Sequence, residues 1–152
     1  MRALEPWVVA PLQTFINESS ARLILLMTTS GQVVAQHGFS RSLEVMTAAA
    51  LGAAIVASTE ELARIMGAPR FAALVHGGNS QSCMLSAFGT PRGRWIGLVV
   101  FGPETSVGIV QLFFDQMVEE LVSAAPREEA PAPLPGNFER ELDTSLKQLF
   151  GH

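Results

Sequence analysis

The sequence predicts one α+β domain built in layers (α/β in the broad sense): a five-stranded antiparallel sheet with a long central helix and flanking helices. Three observations predict it. Helical and extended patterns follow one another as helix, two strands, helix, three strands, helix. Short turns rich in Gly, Ser, Asn and Pro join the strands within each group, as antiparallel neighbours require. The 152 residues suit one core of about 100 to 150 residues and leave no room for a second full domain.

The first element is a short helix from about Pro11 to Ser19, with proline at the tolerated first turn and Leu12, Phe15 and Ile16 on one stripe that lids the sheet. Arg22 to Thr28 is apolar on both alternating faces, as a central strand is, and Val33 to His37 returns after a turn carrying Ser30 and Gly31. A long helix follows from Leu43 to Met66, with Ser42 as its N-cap and Gly67 then Pro69 as its stop. Its middle is crowded with small residues, Ala48, Ala49, Ala50, Gly52, Ala53, Ala54 and Ala57, and shows no polar side between Ala48 and Ala57. One face packs on the sheet; a helix apolar all round is covered all round, which points to a second protein on its other side.

Three strands come next, Phe71 to His76, Ser82 to Phe88 and Arg94 to Phe101, joined as a meander. Thr105 or Ser106 caps a helix running to about Ala124, with Val110, Phe113, Phe114, Met117 and Leu121 inward and Asp115, Gln116, Glu119 and Glu120 outward. The domain so defined spans 1–125. Residues 126–136 form a Pro-rich linker, and 137–152 carry a C-terminal amphipathic helix capped by Asn137, with Phe138, Leu142, Leu146, Leu149 and Phe150 on one stripe. A helix of about 13 residues is marginal alone, so it must dock, either on its own domain or on a partner.

Composition narrows the function. Apolar residues make up 48% and charged residues 16%, below the usual figure of about 25%, so part of the surface is expected to lie against another chain. A net charge of -4 gives no field that gathers phosphates, which argues against nucleic acid as a partner. One cysteine excludes an internal disulfide framework and fits a reducing, cytoplasmic setting. Trp7 to Leu12 is broken by Pro11 and preceded by Glu5, unlike a secretory signal. Val45 to Ala57 falls short of the ~20 apolar residues of a membrane span, so no membrane insertion is expected.

The motifs of catalysis are missing. Neither GxxxxGK[ST] nor GxGxxG occurs, so no recognisable phosphate cradle is present. Cys83 and His76 lie in predicted strands among apolar residues and read as core rather than as nucleophile and base. His37, His76 and Cys83 lack the close pairing of a zinc site. Arg92 and Arg94 have no aromatic series beside them for stacking bases. The expectation is a non-enzyme with no metal and no cofactor.

RFAALVHGG at Arg70 to Gly78 and GLVVFGPETSVGIVQL at Gly97 to Leu112, set in this layout, resemble the roadblock/dynein light chain family and its roadblock/profilin-like fold. The likeness is nearest to the bacterial MglB-type branch, regulators of a small Ras-like GTPase in cell polarity, whose Pro-rich linker and C-terminal helix also have counterparts here. It covers about residues 10 to 125 well. The sequence departs from that branch at Ala54-Ile55, where Gly-Asn is usual, and at Gly102, where Asp is usual. The resemblance implies a homodimer joined along the third strand, with paired long helices as a platform for one GTPase. It also implies stimulation of GTP hydrolysis through the GTPase's own arginine and glutamine; the other reading is a scaffold that binds without activating.

On that basis Ala50, Ala53, Phe71, Ala73 and Val75 are the expected dimer contacts. Helical spacing sets Ala54, Ala57, Glu61 and Arg64 on one face as the expected partner contact. Phe138, Leu142, Leu146 and Leu149 are a second, tethered partner contact.

Overall fold

The structure is a computed structural model that describes residues 6–38, 44–68 and 73–126. Its elements are α1 (Pro6–Ser19), β1 (Leu23–Thr28), β2 (Val33–Gly38), α2 (Val45–Met66), β3 (Leu74–His76), β4 (Ser82–Thr90), β5 (Gly93–Phe101) and α3 (Val107–Ala124). The sheet runs β2-β1-β5-β4-β3, and every pairing is antiparallel. This is the layered five-stranded architecture that the sequence predicts.

The alternation of side chains along the two central strands builds two cores. Ile24 and Leu26 of β1, with Trp95, Val99 and Phe101 of β5, face α1 and α3. Leu23, Leu25 and Met27, with Ile96, Leu98 and Val100, face α2. Both strands are therefore apolar almost without a break. Within the first core Phe15, Phe88 and Phe114 meet edge to face, with centroids 5.7 to 6.1 Å apart for the two contacts to Phe114. The Phe114 ring rests on Gly97, where an added Cβ would stand 2.5 Å from the ring, so only glycine leaves α3 room to sit this close.

Several boundaries differ from expectation for local reasons. α1 starts at Pro6, which takes the first-turn position, so Pro11 lies inside the helix. The extra turn is held by Trp7, which stacks on Trp95 with centroids 5.6 Å apart. α2 begins at Val45 after Glu44, which makes no side-chain cap bond; the expected cap Ser42 and the expected first residue Leu43 lie outside the described residues. Its end is as expected: Gly67 takes φ 66° and its N–H donates to the carbonyls of Ala63 and Arg64. Ser106 caps α3, its hydroxyl accepting from the N–H of Ile109 at 3.4 Å. β3 is shorter than its expected span, with Ala73 before it and Phe71 outside the described residues. The linker and the C-terminal helix expected over 137–152 also fall outside them.

Candidate protein-interaction surface

α2 is pinned to the sheet by its small side. Ala49, Gly52, Ala53 and Ala63 are buried beneath it, and a Cβ on Gly52 would meet Leu85 at 3.2 Å and Met27 at 3.4 Å. Lower on the helix, Arg94 of β5 grips Glu60 with both guanidinium nitrogens, at 2.6 and 3.1 Å, fixing the helix against the sheet's far side. Thr59 turns its hydroxyl back to donate to the Ile55 carbonyl at 2.8 Å.

The opposite side of α2 is open and largely apolar. Ala50, Ala54, Ala57 and Ser58 are exposed in its middle. Around them stand Met46 (76% exposed), Leu51 (59%), Leu62 (52%), Ile65 (71%) and Met66 (64%). Large side chains so exposed on one helix form a patch of the kind that marks an interaction site. At its rim Arg64 is paired with Glu61 through Nη2, and its Nε lies 3.0 Å from Oε2. The hydrogen bond from Arg64 holds the Glu61 carboxyl below the usual glutamate range and raises the guanidinium in turn.

By length and hydropathy α2 could cross a membrane, since an 18-residue window in it averages 1.3. Its buried face on β1, β4 and β5 and the Glu60–Arg94 ion pair tie it to the sheet instead.

The second open feature is the outer edge of β3, which among the described residues has no further strand beside it in the sheet. Val75 is 44% exposed there, while Ala73 and Leu74 are half-buried. An edge with unpaired backbone groups accepts another strand readily. The hollow between this edge and α2, lined by Val56, Thr59, Glu60, Leu74 and Leu85, encloses about 20 Å³ and is far too small for a substrate.

The structure brings Ala50, Ala54, Ala57, Glu61 and Arg64 together on one exposed face. It does not do so for Ala53, expected at the dimer seam; that residue is 6% exposed and packed in the core under α2. Phe71 and the tail residues Phe138, Leu142, Leu146 and Leu149 lie outside the described residues. Sequence reasoning missed Met46, Leu51, Leu62, Ile65 and Met66. Their signal was present as apolar positions that fall on both sides of the helix.

The core reading of Cys83 and His76 needs correction. His76 is exposed on the edge strand, and Cys83 is half-buried opposite it in the β3–β4 ladder. Burial pushes the Cys83 thiol up, against a smaller lowering by a backbone hydrogen bond from His76, which makes it a poor nucleophile. Among the described residues no cluster of His, Cys, Asp or Glu could hold a metal ion.

No family model and no curated protein matches the chain. Solved structures do. The MglB gliding protein of Thermus thermophilus superposes with TM-score 0.69 and 27% identity, over 78% of this chain and 88% of that one. A structure described as MglB with a tetrameric arrangement gives 0.68 and 26%, over 78% and 87%. A roadblock/LC7 domain from Streptomyces avermitilis shares the fold at 0.60 with 15% identity, over 72% and 90%. The chain thus has the roadblock fold and is similar to MglB. Of the two open features, the outer side of α2 lies over one face of the sheet, while the free edge of β3 lies at the sheet's end, with Leu74 packed on the α2 side and Ala73 on the other.

Proposed function

We propose that this roadblock protein is a non-catalytic homodimeric regulator that binds a small Ras-like GTPase and stimulates its GTP hydrolysis. The observation that carries the reading is the open apolar side of α2, with Ala54 and Ala57 at its middle, on a chain similar to MglB at 26 to 27% identity. Small residues let a partner's backbone approach closely, and Glu61 and Arg64 supply charge at the rim. Self-association is supported by the unpaired edge of β3 and by the tetrameric arrangement described for one MglB. Ala50, Ala73 and Val75, with Phe71, are the proposed seam.

The two arginines that ion-pair with this helix's own carboxylates, Arg64 with Glu61 and Arg94 with Glu60, are already engaged. The half-buried Arg94–Glu60 pair supports a mechanism in which the regulator repositions groups of the GTPase rather than inserting an arginine of its own; the exposed Arg64–Glu61 pair is too weakly held to bear on it. The tail residues Phe138, Leu142, Leu146 and Leu149 are the proposed second contact on the partner. The alternative is a scaffold that binds the GTPase and leaves its chemistry unchanged. Single-turnover GTP hydrolysis by a small Ras-like GTPase from the same genome, with and without this protein, decides between them. Acceleration is expected; binding without acceleration establishes the scaffold reading, and no binding removes both.

A further inference from the structure

The face of the sheet away from α2 carries a cleft that the proposed function does not use. It lies between α1 and α3, has a volume of about 530 Å³, and is walled by Trp7, Ala10 and Thr14 of α1 and Glu120, Ser123 and Ala124 of α3. Its walls are mostly apolar or small. The carboxylates on the two helices, Glu18, Asp115, Glu119 and Glu120, are all exposed, and neither helix carries a lysine or arginine.

We propose that the segment Phe138–Phe150 of this same chain docks as a helix along the α1–α3 cleft, with Lys147 directed to the carboxylates beside it. Three observations argue for this occupant. The chain leaves α3 at the cleft itself, since Ala124 lines the wall and the Pro-rich stretch begins at Pro126. A 13-residue helix is about 20 Å long, close to the length of the 14-residue α1 that forms one wall. The eleven residues of 126–136 reach at most about 34 Å, enough to turn back along either wall and short enough to keep the local concentration high. The segment as a whole is slightly acidic, with Glu139, Glu141 and Asp143 against Arg140 and Lys147, so the favourable charge contact falls to its two cations. Helical spacing sets Arg140 and Lys147 on one flank of the segment, seven residues apart, and the cleft offers only acidic partners.

The composition provides a clean test, because Lys147 is the only lysine in the chain. Carbodiimide joins an amine to a touching carboxylate without a spacer. Treatment of the full chain, followed by peptide mass mapping, should link Lys147 to Glu120, Glu119 or Glu18 within one chain. Ala10→Arg and Ser123→Arg place a charge on opposite walls at exposed positions, and each should lower that link about tenfold while the helical circular dichroism stays unchanged. Lys147→Arg should abolish it. The proposal is overturned if Lys147 forms no link, links to Glu60 or Glu61 on the α2 side, or links only between chains. It also fails if both wall variants keep the link at full yield, or if the Met1 amine alone reaches Glu120, which would make the N-terminal residues the occupant.

Discussion

Ala53 and Ala54 are neighbours of identical chemistry, and the structure separates them completely. Ala53 is 6% exposed against the sheet, whereas Ala54 is exposed at the centre of the open side of α2. Arginine at each position therefore tests the proposed surface against its own control. In Ala54→Arg the side chain projects into solvent, and arginine nearly equals alanine as a helix former, so stability should change by no more than about 0.5 kcal/mol. In Ala53→Arg a charge is forced among Leu23, Leu85 and Leu98 with no partner, which should cost about 4 kcal/mol or more, much of the total stability of an ordinary domain. If the partner covers Ala54, the new side chain blocks close approach at the interface centre. A loss of about 2 kcal/mol or more is then expected, roughly 30-fold in Kd. Thermal melts followed by circular dichroism give the stability arm. Titration calorimetry against a GTP-loaded small Ras-like GTPase gives the binding arm, and light scattering follows the proposed dimer. Parent-like affinity in a folded Ala54→Arg dimer would refute the placement of the partner on this side. Loss of the dimer would move the seam onto Ala54.

The remaining expectations concern the edge, the core and the loops. Val75→Lys puts a charge on the exposed strand β3 and should shift the protein toward monomer in light scattering at micromolar concentration, with the melting temperature of the monomeric fold unchanged; a persistent dimer would show that β3 is not its seam. Gly97→Ala drives a Cβ to 2.5 Å from the Phe114 ring, which Phe15 and Phe88 hold edge-on, so overpacking of about 1–3 kcal/mol should appear as a lower urea midpoint at constant m. Glu104 accepts two hydrogen bonds from Arg22, at 2.8 and 3.1 Å, and these lower its folded pKa. Its contribution to stability is therefore complete above the unfolded glutamate value and is lost as pH falls through the lower folded value. Glu104→Gln should accordingly melt below the parent at neutral pH and converge with it in acid; a gap constant with pH would show that the ion pair contributes nothing measurable.

The sheet was legible in the sequence because its signals are local. Arg22 to Thr28 and Gly97 to Phe101 are apolar on both faces, which only central strands are, and the structure places β1 and β5 side by side in the middle. What was illegible depends on contacts distant in sequence. Two prolines five residues apart each satisfy the first-turn rule, and only the stacking of Trp7 on Trp95 extends α1 back to Pro6. A helix apolar on every side has no phase, so the pattern could not say that Ala53 faces in and Ala54 out; the fit of Gly52 over Leu85 and Met27 decides it. Cys83 and His76 read as core because a strand's identity can be seen in its residues, whereas its place at the edge of the sheet cannot.

The layering also decides how the two proposed contacts relate. The open side of α2, the proposed partner surface, lies on one face of the sheet, while the α1–α3 cleft opens on the other, with β1 and β5 buried between them. A helix lying in that cleft covers none of Met46, Leu51, Ala54, Leu62 or Ile65, so a docked tail leaves the open side of α2 available. If the tail docks as proposed, a partner that engages it must first remove it from the cleft, and the affinity it gains there is reduced by what the tail loses. One bound to α2 alone meets no such cost. On the two proposals together, the chain presents a constant primary surface on α2 and a second contact whose strength its own cleft sets.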